Sequence, residues 1–127
     1  MPRRQSIYID SFSHSNPIPA ACRVGNTVMS GVIIGYDPAT GKPAATLADQ
    51  VRYMFDNLQA IVAASGCTMD DVIKISIGMV DRNQRQVLNG RWLELFPDPA
   101  NRPARHTSDA ALGNGILVQC DFTAITG

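Results

Sequence analysis

One segment carries the side chains best suited to chemistry: Arg102-Pro103-Ala104-Arg105-His106-Thr107. Pro103 fixes the chain just before a run that reads as a strand, so Arg105 is held in place. A guanidinium held there is either a salt-bridge partner or a fork for a carboxylate. Asp109 and Asp121 are the candidate internal partners. On the residues alone the ion pair is the commoner outcome, because most arginines near strand ends pair with an acid or with water. His106 follows Arg105 directly, so strand alternation points it to the opposite face.

Other kinds of site lack their residues. With His14 and His106 the only histidines, and no HExxH or paired Cys/His spacing, a zinc site is not expected. There is no GxGxxG after a strand and no Walker loop. Gly113-Asn114-Gly115 reads as a hairpin turn, not a phosphate cradle. Ser30-Gly31 lies inside a strand pattern and is no nucleophile elbow. Cys22, Cys67 and Cys120 cannot all pair within the chain and show no CxxC spacing,. They are expected to be reduced, mostly buried thiols of a cytoplasmic protein. Cys120 alternates with core residues, which argues against a reactive thiolate.

The chain of 127 residues carries 11 Lys+Arg and 11 Asp+Glu. That length predicts one domain, 1–127, with a folded surface of roughly 6,600 Å² and about two-thirds of the chain's surface buried. Balanced charge works against nucleic acid as a partner, because a nucleic-acid binder needs a basic stripe. Here Arg3, Arg4, Arg23, Arg52, Lys74, Arg82, Arg85, Arg91 and Arg102 are scattered among acids. No run approaches the ~20 apolar residues of a membrane span, and the Met-Pro-Arg-Arg start leads into no apolar signal region. Charged residues are 17%, below the usual ~25%, which hints that other subunits cover part of the surface.

The elements that must position these residues follow from period and punctuation. Ser6–Asp10 reads as a short strand, and Ser11 to Pro19 as a loop. Ala21–Val24 and Thr27–Ile34 read as strands turning at Gly25-Asn26, with a further turn at Asp37–Gly41. Thr46 caps a helix, with Asp49 three residues on as a capping-box variant. Leu47, Val51, Met54, Phe55, Leu58, Ile61 and Val62 form one apolar stripe, and Gly66 closes the helix. Asp71–Val80 reads as a strand with Ile73, Ile75, Ile77 and Met79 inward and Lys74, Ser76 and Gly78 outward. Asn83–Phe96 reads as a second helix with Leu88, Trp92, Leu95 and Phe96 inward, stopped by Pro97 and Pro99. Ala104–Ala110 and Ile116–Ile125 read as two more strands joined at Gly113–Gly115. The fold class is therefore α+β: a mixed sheet with two helices on one face. Ser76, Gly78, Gln119 and Thr123 make the other face too polar for a core and too apolar for water. That face predicts a closed homo-oligomer.

Taken in order, several segments resemble the RidA (YjgF) family of reactive-intermediate deaminases. They are Val24-Gly25-Asn26, Ser30-Gly31, Asp37-Pro38 with Thr40-Gly41, Gln50, Asn57-Leu58, and Gly66 followed by Asp70-Asp71-Val72-Ile73-Lys74. Asn89, Pro103-Ala104-Arg105 and the final strand complete the set. The resemblance runs from about Pro17 to Ile125. It implies a chorismate-mutase-like fold and a homotrimer with clefts between neighbours. The implied chemistry is hydrolysis of small carboxylated imines or enamines to 2-keto acids and ammonia, with no metal or organic cofactor. It implies that Arg105 grips the substrate carboxylate, that Ser30 and Gly31 line the cleft, and that Asn89 joins them; Thr107, in the same segment as Arg105, is also expected to bind substrate. The family's cleft glutamate falls at Gln119, which can hold a water but cannot take its proton. The family's tyrosine after Gly-Pro falls at Ile18. Two groups are candidates for proton transfer: Asp121, two residues from Gln119, and His14, in the loop before Pro17. His14 is the preferred of the two as a catalytic residue. The alternative function is a non-catalytic trimeric binder of small carboxylated metabolites. A nucleic-acid role, suggested for some relatives, is disfavoured by the even charge and the lack of aromatic stacking runs.

Overall fold

The computed structural model describes residues 2–127. Among the described residues nine strands and two α-helices follow one another. The strands are β1 (Gln5–Ile7), β2 (Ala21–Val24), β3 (Thr27–Ser30), β4 (Ile33–Ile34), β5 (Tyr36–Asp37), β6 (Lys42–Pro43), β7 (Val72–Met79), β8 (Ala104–Asp109) and β9 (Val118–Ile125). The helices are α1 (Leu47–Ala64), between β6 and β7, and α2 (Arg85–Leu95), between β7 and β8. The main sheet runs β1-β2-β3-β9-β7-β8, with β4 also on β9. All its pairings are antiparallel except β7 with β8, which are parallel and joined through α2. This is the α+β arrangement of two helices and a mixed sheet that the pattern predicts.

α1 forms for local reasons. The Thr46 hydroxyl accepts the Asp49 amide at 3.2 Å. Asp49 does not complete the box; its carboxylate pairs with Arg52 at 3.1 Å. The apolar stripe is buried from Val51 to Val62, with Leu47 half-covered at its rim. The chain then turns through Gly66 at φ 76°, where other residues are strained,. Gln50, fully buried on the same helix, is a staple. Its amide donates to the carbonyls of Ala44 and Gly115, both at 2.8 Å, and its oxygen accepts the Leu117 amide at 2.8 Å. Gly35 lies so close beneath that a Cβ there would overlap the Gln50 carbonyl. Asn57, two turns further along the same face, donates to the Ile34 carbonyl at 3.0 Å,.

Four expectations need correction. First, β8 and β9 are not a hairpin. The turn is real, with the Ile116 amide on the Gly113 carbonyl at 3.1 Å and Asn114 and Gly115 at positive φ. The strands it joins lie on opposite sides of β7. Second, Ile73 faces solvent, 48% exposed, and Val72 is buried instead. A register shift between Val72 and Lys74 inserts one residue and flips the alternation at that point,. Third, the run Thr27–Ile34 breaks at Gly31. Met29 pairs with Thr123 and Ile33 with Cys120, so one strand carries one residue more than its partner. Fourth, the second helix begins as a 3-10 turn at Arg82–Gln84 and becomes α-helical only at Arg85.

The core lies between the sheet and the helices. Phe122, Ile75, Cys120, Ile77, Val118 and Met79 point into it from β9 and β7. The opposite sheet face bears no layer in this chain. One row across it reads Ser6, Cys22, Met29, Thr123, Lys74, Ala104. The next two rows read Asp121, Ser76, His106 and Gln119, Gly78, Ser108. Met29 and Ile125 on this face are 59% and 45% exposed. The chain exposes 7316 Å², above the roughly 6,600 Å² of a compact monomer of its mass.

Candidate active site

Arg105 sits on β8, opposite Ile75 of β7, on the face that carries the helices. β8 is the edge strand, so the residue is half-buried at the rim of the core. Its guanidinium carbon lies 5.0 Å from the centre of the Trp92 ring on α2, a cation–π contact,. Arg105 enters no ion pair among the described residues. Of the two acids considered as its partners, Asp109 is taken by Arg82, at 3.5 Å to the guanidinium and 2.9 Å to the backbone amide. Asp121 lies on the opposite sheet face. Burial, and then the neighbouring charge of Arg85, hold the Arg105 pKa below its ordinary value. Thr107 is the next residue of β8 on the same face. Its hydroxyl is out of water with no hydrogen-bond partner, which leaves a donor for a bound molecule. Asn89 is half-buried on α2, three residues before Trp92, and so shares that ring's side of the helix,.

Ser30, Gly31 and His14 form a second cluster, three strands from β8. The Ser30 hydroxyl accepts the Phe122 amide at 2.9 Å and patches the ladder where the extra residue interrupts it. Gly31 donates its amide to the Ala20 carbonyl at 3.0 Å. His14 Nε2 and the Pro19 carbonyl oxygen border the space a Gly31 side chain would take, both at 3.7 Å. The imidazole stacks edge-on against Phe12, with ring centres 5.0 Å apart. Its Nε2 is buried without a partner, and burial lowers the pKa from the ordinary 6.5. The structure thus brings His14 beside Gly31 but not beside Arg105.

Gln119 and Asp121 lie on the open sheet face, as alternation predicts. They line a shallow hollow of about 180 Å³ over Gly78, with Ser76, His106 and Ser108. A methyl group at Gly78 would crowd Ala110 at 3.2 Å, so the glycine keeps this hollow open. Desolvation pushes the Asp121 carboxyl up from its ordinary value, and Lys74 partly offsets this. His106 shares this face and not that of Arg105, as adjacency requires. Within one copy Arg105 stands on one side of the sheet and Gln119, Asp121 and His106 on the other.

The thiols match the reading of packing residues. Cys67 and Cys120 are buried and Cys22 half-buried, all unpaired. Burial pushes the Cys120 thiol far above its ordinary pKa, so no thiolate is available,. Among the described residues no three His, Cys, Asp or Glu side chains gather as a metal site. No helix among the described residues is long and apolar enough to cross a membrane.

Two residues that the sequence left among scattered bases stand beside the Arg105 strand. Arg82 and Arg85, with Asn83 and Thr107, line a space of about 470 Å³. One signal was present: Arg85 opens α2, and a cation in the first helical turn works against the helix dipole,.

Comparison with known proteins agrees with this architecture. The chain is 32% identical over 104 residues to a 2-iminobutanoate/2-iminopropanoate deaminase of Escherichia coli K12, covering 80% of this chain and 81% of that protein. It is 29% identical over 110 residues to a RutC family protein of Pyrococcus horikoshii, covering 85% of this chain and 86% of that one. The crystal structure of RidA from an Antarctic Psychrobacter superposes with a TM-score of 0.88 at 28% identity, covering 96% of this chain and 99% of the other. The YjgF gene product of Escherichia coli superposes with a TM-score of 0.85 at 25% identity, over 95% and 98% of the two chains. The sequence profile of the family described as Endoribonuclease L-PSP matches residues 8–126, and the chain belongs to that family, the one that includes YjgF and RidA.

Proposed function

We propose that this protein hydrolyses small carboxylated imines, and enamines after their tautomerisation, to 2-keto acids and ammonia. Water adds to the C=N carbon, giving a carbinolamine. The C–N bond then breaks, the amine leaves as ammonia, and C=O forms. The imine carbon is already electrophilic, so the protein's task is to orient it, admit one water and move protons. The observation that carries this reading is Arg105: half-buried, stacked on Trp92 and matched with no carboxylate of its own chain. A guanidinium kept so is ready to take a carboxylate through two parallel charge-assisted hydrogen bonds. The relatives named as imine deaminases support it.

The reaction takes place in a cleft between copies of this chain, in a homotrimer. Three features support an oligomer. β8 ends the sheet with an unpaired backbone edge,. The far sheet face is uncovered and carries exposed Met29 and Ile125. Arg105, the Ser30–His14 cluster and Gln119 do not meet within one copy. A neighbour that sets its open face or its bulge against the β8 edge completes the site. In that cleft Gln119 holds the attacking water by its amide, and His14 or Asp121 takes the proton.

Gln119 favours a second reading, a trimer that binds carboxylated metabolites without turning them over. One experiment separates the two. An amino-acid oxidase generates 2-imino acids in the presence of semicarbazide, and the trapped semicarbazone is followed. The deaminase reading expects the native protein to lower trapping for some side chains and Arg105→Ala to abolish the effect. Unchanged trapping across a broad panel, with a 2-keto acid still bound near Arg105, selects the binder.

A further inference from the structure

The groove that Arg82, Asn83 and Arg85 form with Thr107 of β8 holds more positive charge than one carboxylate requires. Arg85 and Arg105 come from different elements, the start of α2 and the start of β8; Arg105 stacks on Trp92, and Arg85 lies two turns before Trp92 on the same face of α2, so the two cations repel,. Arg82, the third cation, is neutralised by Asp109. Arg85 is not. Its Nη1 donates to the Arg82 carbonyl at 3.2 Å, and it enters no ion pair among the described residues. The first turn of α2 holds no acid either, so the partial positive charge of the helix start adds to that of Arg85. Thr107, two residues past Arg105 on the same face of β8, lines the space beside Arg85, and its hydroxyl is buried and unpartnered. Two repelling cations, one partly desolvated, beside an unsatisfied donor are costly unless an anion offsets them. A single carboxylate on Arg105 leaves Arg85 without a counter-charge.

We infer that this groove selects substrates with two acidic groups: the 2-carboxylate on Arg105 and a second carboxylate, further along the carbon chain, on Arg85. The Thr107 hydroxyl donates to the substrate between them. The substrate class is then a dicarboxylated 2-imino or 2-enamino acid, and the product the matching 2-keto diacid plus ammonia. The second carboxylate takes no part in bond making. It adds orientation, fixing which end of the molecule meets the water. For the reaction this inference rests on the deaminase reading above; for the preference between anions it does not.

Calorimetric titration of the native protein tests the preference directly. The diacid probes are 2-oxoglutarate and 2-oxoadipate, and the monoacid probe is 2-oxobutanoate. We expect at least one diacid to bind about tenfold or more tighter, with the advantage shrinking as salt rises. In Arg85→Leu the ratio of diacid to monoacid affinity falls below about threefold; Arg105→Ala weakens both classes. Arg85 is exposed, so Arg85→Leu is expected to melt as the native protein does, and the melt is recorded. Equal affinities in the native protein, or a preference that survives Arg85→Leu, overturns the inference. The two readings fail separately. Diacid preference without faster imine loss ends the deaminase reading and keeps this one. Faster loss of monoacid imines without diacid preference does the reverse.

Discussion

Gln50 and Asn57 of α1 and Ser30 of β3 on one side, and the β8 edge on the other, both hold polar side chains in or near the core, yet they differ in one respect. Each side chain of the first set is bonded. Gln50 has three partners, Asn57 holds the Ile34 carbonyl, and Ser30 takes the Phe122 amide. At the β8 edge Arg105 has only the face of Trp92, and the Thr107 hydroxyl has nothing. Buried polar groups are normally satisfied. Completed ones hold backbone in place; incomplete ones await a ligand or a neighbour. Residues that share one family resemblance therefore divide into two kinds, and hydrogen bonding sorts them.

The sharpest way to break that division is Arg105→Ala. Two charge-assisted bonds at about 1.5–3 kcal/mol each put the expected fall in kcat/KM on imino acids at about 10²- to 10⁴-fold. The melting temperature should hardly move. A large loss of stability with little loss of ligand affinity would place Arg105 among the structural residues. Gln50→Leu should do the opposite. It strands two carbonyls and an amide, at about 1–3 kcal/mol for each group left dry. A loss near the lower end of that range per group should appear in urea denaturation, with 2-keto acid affinity of the folded fraction unchanged. Ser30→Ala should cost about 1 kcal/mol, because one ladder amide at the bulge loses its acceptor. If stability holds while turnover collapses, Ser30 moves to the other kind. The smallest effect concerns pH. Burial lowers the His14 pKa in the folded state, so the unfolded chain takes up the proton first. Stability is then lost as pH falls through 6.5 towards the lowered value,. His14→Gln should flatten the melting temperature across that window; an unchanged acid limb would show that His14 does not contribute to it.

What could be read in advance follows how local each cause is. α1 was legible because its period, its Thr46 cap and its Gly66 exit all lie within one stretch of chain. The inward face of β7 was legible from Ile75 onward. It failed at Ile73, because the extra residue that reverses alternation is fixed by pairing with β9, some fifty residues away in sequence. The Asn114-Gly115 turn was visible, but a turn does not say which strands will pair. β7 and α2 carry the chain to the β8 edge, and β9 returns to the far side of β7. Arg105 stood out through Pro103 and the family pattern. Arg85 did not, since its closeness to Arg105 arises only when α2 lies across the sheet.

β9 follows every other strand in the chain, yet it occupies the middle of the sheet. It alone joins β3 to β7. Until it has been synthesised, the first three strands and the β7–α2–β8 unit have no ladder between them, and each presents a bare hydrophobic edge. Such edges invite mispairing with other chains. During translation this protein should therefore lean on chaperones up to the moment the β9 residues leave the ribosome. Closing a loop of more than ninety residues between β3 and β9 should then set the pace of folding,.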